Sequence, residues 1–291
     1  MANLKEIRTR IASVNSTMQI TSAMKMVSAA KLKKAQDAIT QMRPYAEKLQ
    51  EILSNVSASL DASEGVYSQE REVKNVLYIA VTSNRGLCGA FNNSVIKGIS
   101  QKIREEHAEV KVLSLGKKAH EVFAKSNRNT TDGFPGNVVY GIWDDLTFDN
   151  VADVASVVMK QYREGKWDKV VLVYNRFKNA ASQELMMEPF LPVKPVESDE
   201  QASSAVEYIF EPSKEYIVEE MIPKSLKVQL YKAMLDSRAS EHGARMTAMH
   251  KATDNASEML KELKLHYNKA RQAAITGEIL EIVGGAEALN G

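Results

Sequence analysis

Cysteine is almost absent from this 291-residue chain: there is one, Cys88. A single thiol excludes an intrachain disulfide framework and any Cys-x-x-Cys metal site, and it points to a reducing compartment. Long apolar runs are missing as well. The longest, Val76–Val81 ("VLYIAV"), falls far short of the roughly 20 residues that cross a bilayer. The opening "MANLKEIRTRIASV" has no signal-peptide apolar core, and helical periodicity starts at once. The expectation is a soluble, unexported chain with no membrane insertion. Catalytic signatures are lacking too. There is no G-x-G-x-x-G, no G-x-x-x-x-G-K-[ST] and no His-Glu-x-x-His. His107, His120, His242, His250 and His266 have no i,i+4 spacing, and no triad or carboxylate pair emerges. The expectation is no catalytic residue, no metal and no cofactor.

What is present begins with charge. The net charge of +1 hides two basic ends around an acidic middle. Residues 1–60 carry 9 Lys/Arg against 4 Asp/Glu, and residues 224–271 carry 10 against 5. Residues 61–223 carry 19 against 25. Such asymmetry fits ends that face an acidic partner, or merely solvated helix faces. The cluster Lys25, Lys31, Lys33 and Lys34 interleaves with Met24, Met26 and Leu32 and has no aromatic side chain on which a base would stack. A nucleic-acid partner is therefore not expected.

Alternating steps of 3 and 4 from Leu4 trace an apolar seam through Ile7, Ile11, Val14 and Met18 to Leu49, Leu53 and Val56. Only Thr21, Lys25 and Ser28 interrupt it. A period of 3.5 held this long specifies a coiled coil. Pro44 predicts a bend or short break at Arg43–Pro44. From Met249 a second seam runs through Ala252, Ala256, Met259, Leu263, His266, Ala270, Ala273 and Gly277. No proline follows Pro223.

Between the two coils, "VLYIAVTS", "VKVLSLG" and "KVVLVYN" read as buried strands. They alternate with helical stretches near 92–106, 117–125 and 148–163, which argues for a parallel sheet covered on both faces. "EPFLPVKPVESDEQASS" reads as a connector and "VEYIFEPS" as the approach to the last helix. The expected fold is α/β: a long antiparallel coiled coil of N- and C-terminal helices plus a central Rossmann-like parallel-sheet domain. Its divisions fall at 1–60, 61–211 and 212–291. The second helix is the longer, so on the order of 15–20 residues overshoot the first. That tip, "QAAITGEILEIVGGAEALNG", has no Lys or Arg and several apolar residues.

Two local features remain. "RGLCGAFN" follows the first strand, and Arg85, Gly86, Cys88 and Gly89 read better as a structural turn with a buried thiol than as a nucleophile's loop. Asn92 and Asn93 are placed to cap the next helix. Arg245 and the tip residues Gln272, Thr276, Glu278 and Glu281 are equally compatible with plain surface. Gln272 and Thr276 share one helix face.

Four stretches together carry a resemblance: "ITSAMKMVSAAKLKKAQ", "RPYAEKL", "SNRGLCGAFN" and "ARMTAMHKATDNA" with its continuation to the tip. They resemble the gamma subunits of F-type ATP synthases, in order and along essentially the whole chain. The resemblance implies a non-catalytic rotor shaft that threads a ring of alpha and beta subunits. Its α/β foot would sit with an epsilon subunit on the membrane ring of c subunits. It also implies that Met24, Lys25, Lys31 and Lys33 meet the acidic lever loop of beta. Arg245, Gln272 and Thr276 would meet its catch region, and Glu278 and Glu281 would supply further tip acids. Arg85–Gly89 matches the foot signature. One cysteine cannot supply the regulatory dithiol of the chloroplast versions. The expected place is peripheral, on the cytoplasmic face of a bacterial inner membrane. The competing reading is a coiled-coil-bearing α/β nucleotide-binding enzyme.

Overall fold

The computed structural model describes residues 4–58, 66–69, 71–136, 138–193 and 214–290. The elements run α1 (Leu4–Ala58), β1 (Asn75–Val81), α2 (Phe91–Glu105), β2 (Glu109–Leu115), α3 (Lys117–Phe123), a single 3₁₀ turn at Gly141–Trp143, α4 (Phe148–Arg163), β3 (Lys169–Phe177), β4 (Gln183–Leu191) and α5 (Lys214–Asn290). The chain forms two compact units. One holds residues up to Ser28 and from Met246 onward, and the other holds Ala29–Arg245. The sequence divisions at 60/61 and 211/212, like the stretch "VEYIFEPS", lie outside the described residues.

In the first unit, α1 and α5 run antiparallel. Arg8 donates to Tyr267 Oη at 2.7 Å, Thr253 meets Thr21 at 2.9 Å and Lys25 Nζ lies 3.5 Å from His250 Nδ1. As the position on one helix advances, its partner on the other retreats. Every seam position of α1 from Leu4 to Leu49 is buried or half-buried. The seam of α5 departs from the expected series. Leu260, Tyr267 and Ala274 turn inward, while Met259, His266 and Ala273 are exposed. The steps from Met249 run 3, 4, 4 before alternation resumes, which brings the mean period locally nearer the 3.6 of a straight helix. A strict 3–4 alternation slips by one residue there.

The second unit is built on a four-stranded sheet in the order β2-β1-β3-β4. β1 pairs in parallel with β2 and with β3, and β4 returns antiparallel to β3. The three parallel strands are the ones expected, and α4 occupies the expected stretch. β4 is the difference. Its residues Glu188–Leu191 belong to the stretch read as connector, because "QELMMEPFL" carries three polar residues and Pro189. An edge strand tolerates such a proline, since one of its backbone sides needs no partner. The parallel sheet is therefore mixed at one edge.

Alternate strand residues face opposite ways. Leu77, Ile79, Leu113, Leu172 and Tyr174 pack with α4 and with Leu226 and Leu230 of α5. Val76, Tyr78, Val112 and Val173 pack with Val95 and Ile99 of α2 and Phe123 of α3. Positions 233–237 of α5 are all buried, covering every side of the helix in just over one turn. Such a helix is buried on all sides rather than amphipathic. Near Pro44, Ala46 and Leu49 of α1 pack on Val228. Of the bend or short break expected at Pro44, no break occurs: α1 passes through it as one helix, with the ring exposed and the flanking turns packed.

Candidate functional site

Strand β1 ends at Val81, and the chain turns at once. Thr82 accepts from Ala119 N at 3.1 Å, Ser83 N donates to Asn92 Oδ1 at 2.9 Å and Asn84 Oδ1 accepts from Lys117 N at 3.0 Å. Ser83 Oγ donates to Arg85 O at 2.6 Å, which closes the turn on itself. Leu87 and Gly89 both adopt left-handed backbone, at φ 62° and 59°. Leu87 is 63% exposed. Asn92 does not cap α2: the N-cap is Ala90, without a side-chain hydrogen bond, and Asn92 lies inside the first turn. Its amide is spent on the loop instead, donating to Cys88 Sγ at 3.1 Å and to Ser83 Oγ at 2.9 Å.

Cys88 is buried, and burial pushes its thiol pKa up against the opposing pull of the Arg245 cation. A thiol so placed stays protonated, whereas a nucleophile needs the thiolate.

Arg245 is brought onto this turn. Its Nη1 donates to Glu241 Oε1 at 2.7 Å, Nη2 donates to Arg85 O at 3.2 Å and Gly86 O at 3.3 Å, and Nε donates to Gly86 O at 3.4 Å. The residue is 7% exposed. Burial raises the Glu241 carboxyl, with Arg245 pulling the other way. His242 lies 3.4 Å from Arg245 Nη1. Burial first, and then the cations Arg245, Lys31 and Arg238, push its pKa down to about 4. One turn earlier, Ser240 Oγ donates to Asn175 O at 2.9 Å. Gly243 approaches the turn after β3 so closely that a Cβ there would sit 3.3 Å from the Ala180 backbone.

These contacts have a topological meaning. Connections from β1 and β3 leave in opposite directions, so the crevice beyond their C-terminal ends is where an open α/β sheet holds a ligand. Residues 240–245 of α5 lie across that crevice, bonded to the turn after β1 and to the end of β3. The chain fills its own switch point.

Of the remaining sequence-predicted residues, Lys31 is the one whose charge reaches Glu241 and His242. Met24 and Lys25 are half-buried on α1, and Lys31 and Lys33 are exposed on the same helix. Gln272, Thr276, Glu278 and Glu281 are all exposed on the last turns of α5, beside exposed Ile275, Ile279, Leu280 and Ile282. Among the described residues no group of three His, Cys, Asp or Glu is placed to hold a metal, and no helix is long and apolar enough to cross a membrane. Sequence reasoning missed Glu241, Ser240 and Leu87. The i,i+4 acid–base pair Glu241/Arg245 and the glycine at 243 were the signals available.

The profile of the family described as ATP synthase matches residues 3–289. The ATP synthase gamma chain of Flavobacterium johnsoniae is 61% identical over 298 residues, covering all of both chains. That of Cytophaga hutchinsonii is 54% identical, again over all of both. Among solved structures, the central stalk and c-ring of the Tetrahymena thermophila mitochondrial ATP synthase offers a chain at 26% identity and TM-score 0.57, covering 80% of this chain and 99% of that one. A chain of the Euglena gracilis mitochondrial ATP synthase shares the fold at 21% identity and TM-score 0.67, covering 98% and 94%. With the family profile matched from residue 3 to residue 289 and gamma chains more than half identical along their full length, this chain belongs to the ATP synthase gamma-chain family.

Proposed function

We propose that the chain is the central rotor shaft of an F-type ATP synthase, coupling ion-driven rotation of a membrane c-ring to ATP synthesis and hydrolysis in a ring of alpha and beta subunits. The paired helices α1 and α5 act as the shaft, and the α/β domain between them is the foot that meets epsilon and the c-ring. The division is 1–60, 61–211 and 212–291. The observation that carries the reading is the end of α5, where Ile282 is 71% exposed and Leu280 is 66% exposed on a helix with no other segment of the described chain against it. A lone helix cannot cover its own apolar side, so a surrounding protein does.

Three chemically identical beta sites become unequal only through differential contact with something asymmetric. Met24 with Lys25, Lys31 and Lys33 supplies charge contacts to the acidic lever loop of beta. Gln272 and Thr276 meet its catch region, and Glu278 and Glu281 add acids at the tip. Arg245, whose donors are engaged within the chain, acts by holding the turn beside it. The chain performs no chemistry itself, and it lies peripherally on the cytoplasmic face of the inner membrane.

The nucleotide-binding-enzyme reading would use the crevice beyond β1 and β3, and α5 lies across it. Co-expression with cognate alpha and beta, followed by size exclusion and ATPase assay, tests the two. The expected result is one large complex whose multi-site turnover depends on this chain. A chain that elutes alone and itself hydrolyses ATP overturns the shaft reading.

A further inference from the structure

We propose that Glu241 and Arg245 form a lock that keys α5 to the turn after β1, so that load on the helix passes into the sheet through the carbonyls of Arg85 and Gly86. The load rests on the shaft reading; the lock does not. All three guanidinium nitrogens are engaged, one on the Glu241 carboxylate and two on the turn carbonyls. The ion pair is buried, with side-chain exposures of 8% and 13%. Burying such a pair gains little stability over apolar packing, so its use lies in fixing one geometry. The residue just past the held carbonyls, Leu87, sits in left-handed backbone that a non-glycine residue keeps only where its surroundings over-determine it. Ser240 on Asn175 O and Gly243 on Ala180 continue the attachment one turn along, so residues 240–245 grip the ends of both β1 and β3.

The planar fork is what matters. A lysine keeps the charge and can hold Glu241, but it is a point donor and cannot serve the carboxylate and two carbonyls together. Cys88, the only thiol of the chain, is buried behind the turn and reports its opening.

The test is modification of Cys88 by a small uncharged disulfide reagent, on the full-length chain and on its reconstituted complex. Arg245→Lys and Glu241→Gln should each raise the rate roughly tenfold or more, the scale expected when hydrogen bonds to a charged group are lost. Because Arg245→Lys preserves the cation beside the thiol, acceleration there reports opening rather than altered thiol acidity. The accelerated rate should stay flat in urea below the unfolding transition, which separates local opening from a fold that has merely weakened. In vesicles bearing the whole complex, the ratio of ATP-driven ion pumping to hydrolysis should fall at least threefold. Unchanged labelling in both variants overturns the lock, and faster labelling with an unchanged pumping ratio overturns its load-bearing role. If the unmodified chain fails to assemble with alpha and beta, the shaft reading falls, while the labelling still decides the lock.

Discussion

His242 faces Arg245 from its own helix, with Lys31 and Arg238 contributing further positive charge. Burial and those cations hold it neutral, with a pKa near 4 against about 6.5 when unfolded. A group whose folded pKa is depressed gives stability that is complete above the unfolded value and is lost as pH falls towards the folded one. The α/β domain should therefore weaken between pH 6.5 and about 4, by at most about 3 kcal/mol from this residue. Asp236 and Glu241 carry the opposite sign, since burial raises both, so their contributions are present at low pH and lost as pH rises. Comparison of His242→Gln with the parent isolates the histidine: the gap in melting temperature should shift in the variant's favour as the pH drops. A constant gap from pH 7 to pH 4 would show that His242 titrates normally. Gly116 is a second test at this scale. Its φ of 135° suits glycine alone, and a Cβ there would run into the Thr82 backbone carbonyl. Gly116→Ala should cost about 3 kcal/mol or more through strain and clash together, read as a loss of soluble chain or a large fall in melting temperature.

At the scale of elements, the question is what lets α5 lie so close to the β3–β4 hairpin. Gly243 costs up to about 1 kcal/mol as a mid-helix glycine. In return it removes the side chain that would press on Ala180 and Phe177. Gly243→Val should lower the stability of the α/β domain by roughly 2 kcal/mol despite valine's better helix propensity, because the obstacle is backbone rather than a movable side chain. A stabilised Gly243→Val chain would mean that the hairpin gives way freely. Periodicity made α1, the parallel strands and α4 legible, since each has one apolar face or a continuous apolar run. β4 was not legible, because an edge strand with Glu184, Glu188 and Pro189 has neither signal. The inward turn of Leu260 and Tyr267 was hidden in the same way, since one extra step of 4 leaves every residue type plausible. Arg245 stood out as a candidate, but its target did not. The carbonyls it holds lie 159 and 160 residues away in the chain, and backbone acceptors leave no mark in the sequence.

For the whole molecule, two stretches of α5 are held by different physics. Residues 233–245 are enclosed by the chain's own sheet and helices, whereas residues 278–288 are exposed throughout. Beyond Tyr267, the partner of Arg8, few positions of α1 remain to cover the second helix. Residues that touch nothing within the chain contribute little to its folding, typically within about 0.5 kcal/mol. Ending the chain at Gly277 should therefore leave the melting temperature of the free protein nearly unchanged, with only the helical circular-dichroism signal reduced. Its complex with alpha and beta subunits should dissociate faster, because the exposed Ile279, Leu280, Ile282 and Val283 are the surface that such a ring would cover. The two readouts separate two ideas. A melting temperature several degrees lower in the free truncated chain would place the tip in contact with its own chain. An unchanged melting temperature with unchanged dissociation would leave the apolar tip without a function in assembly.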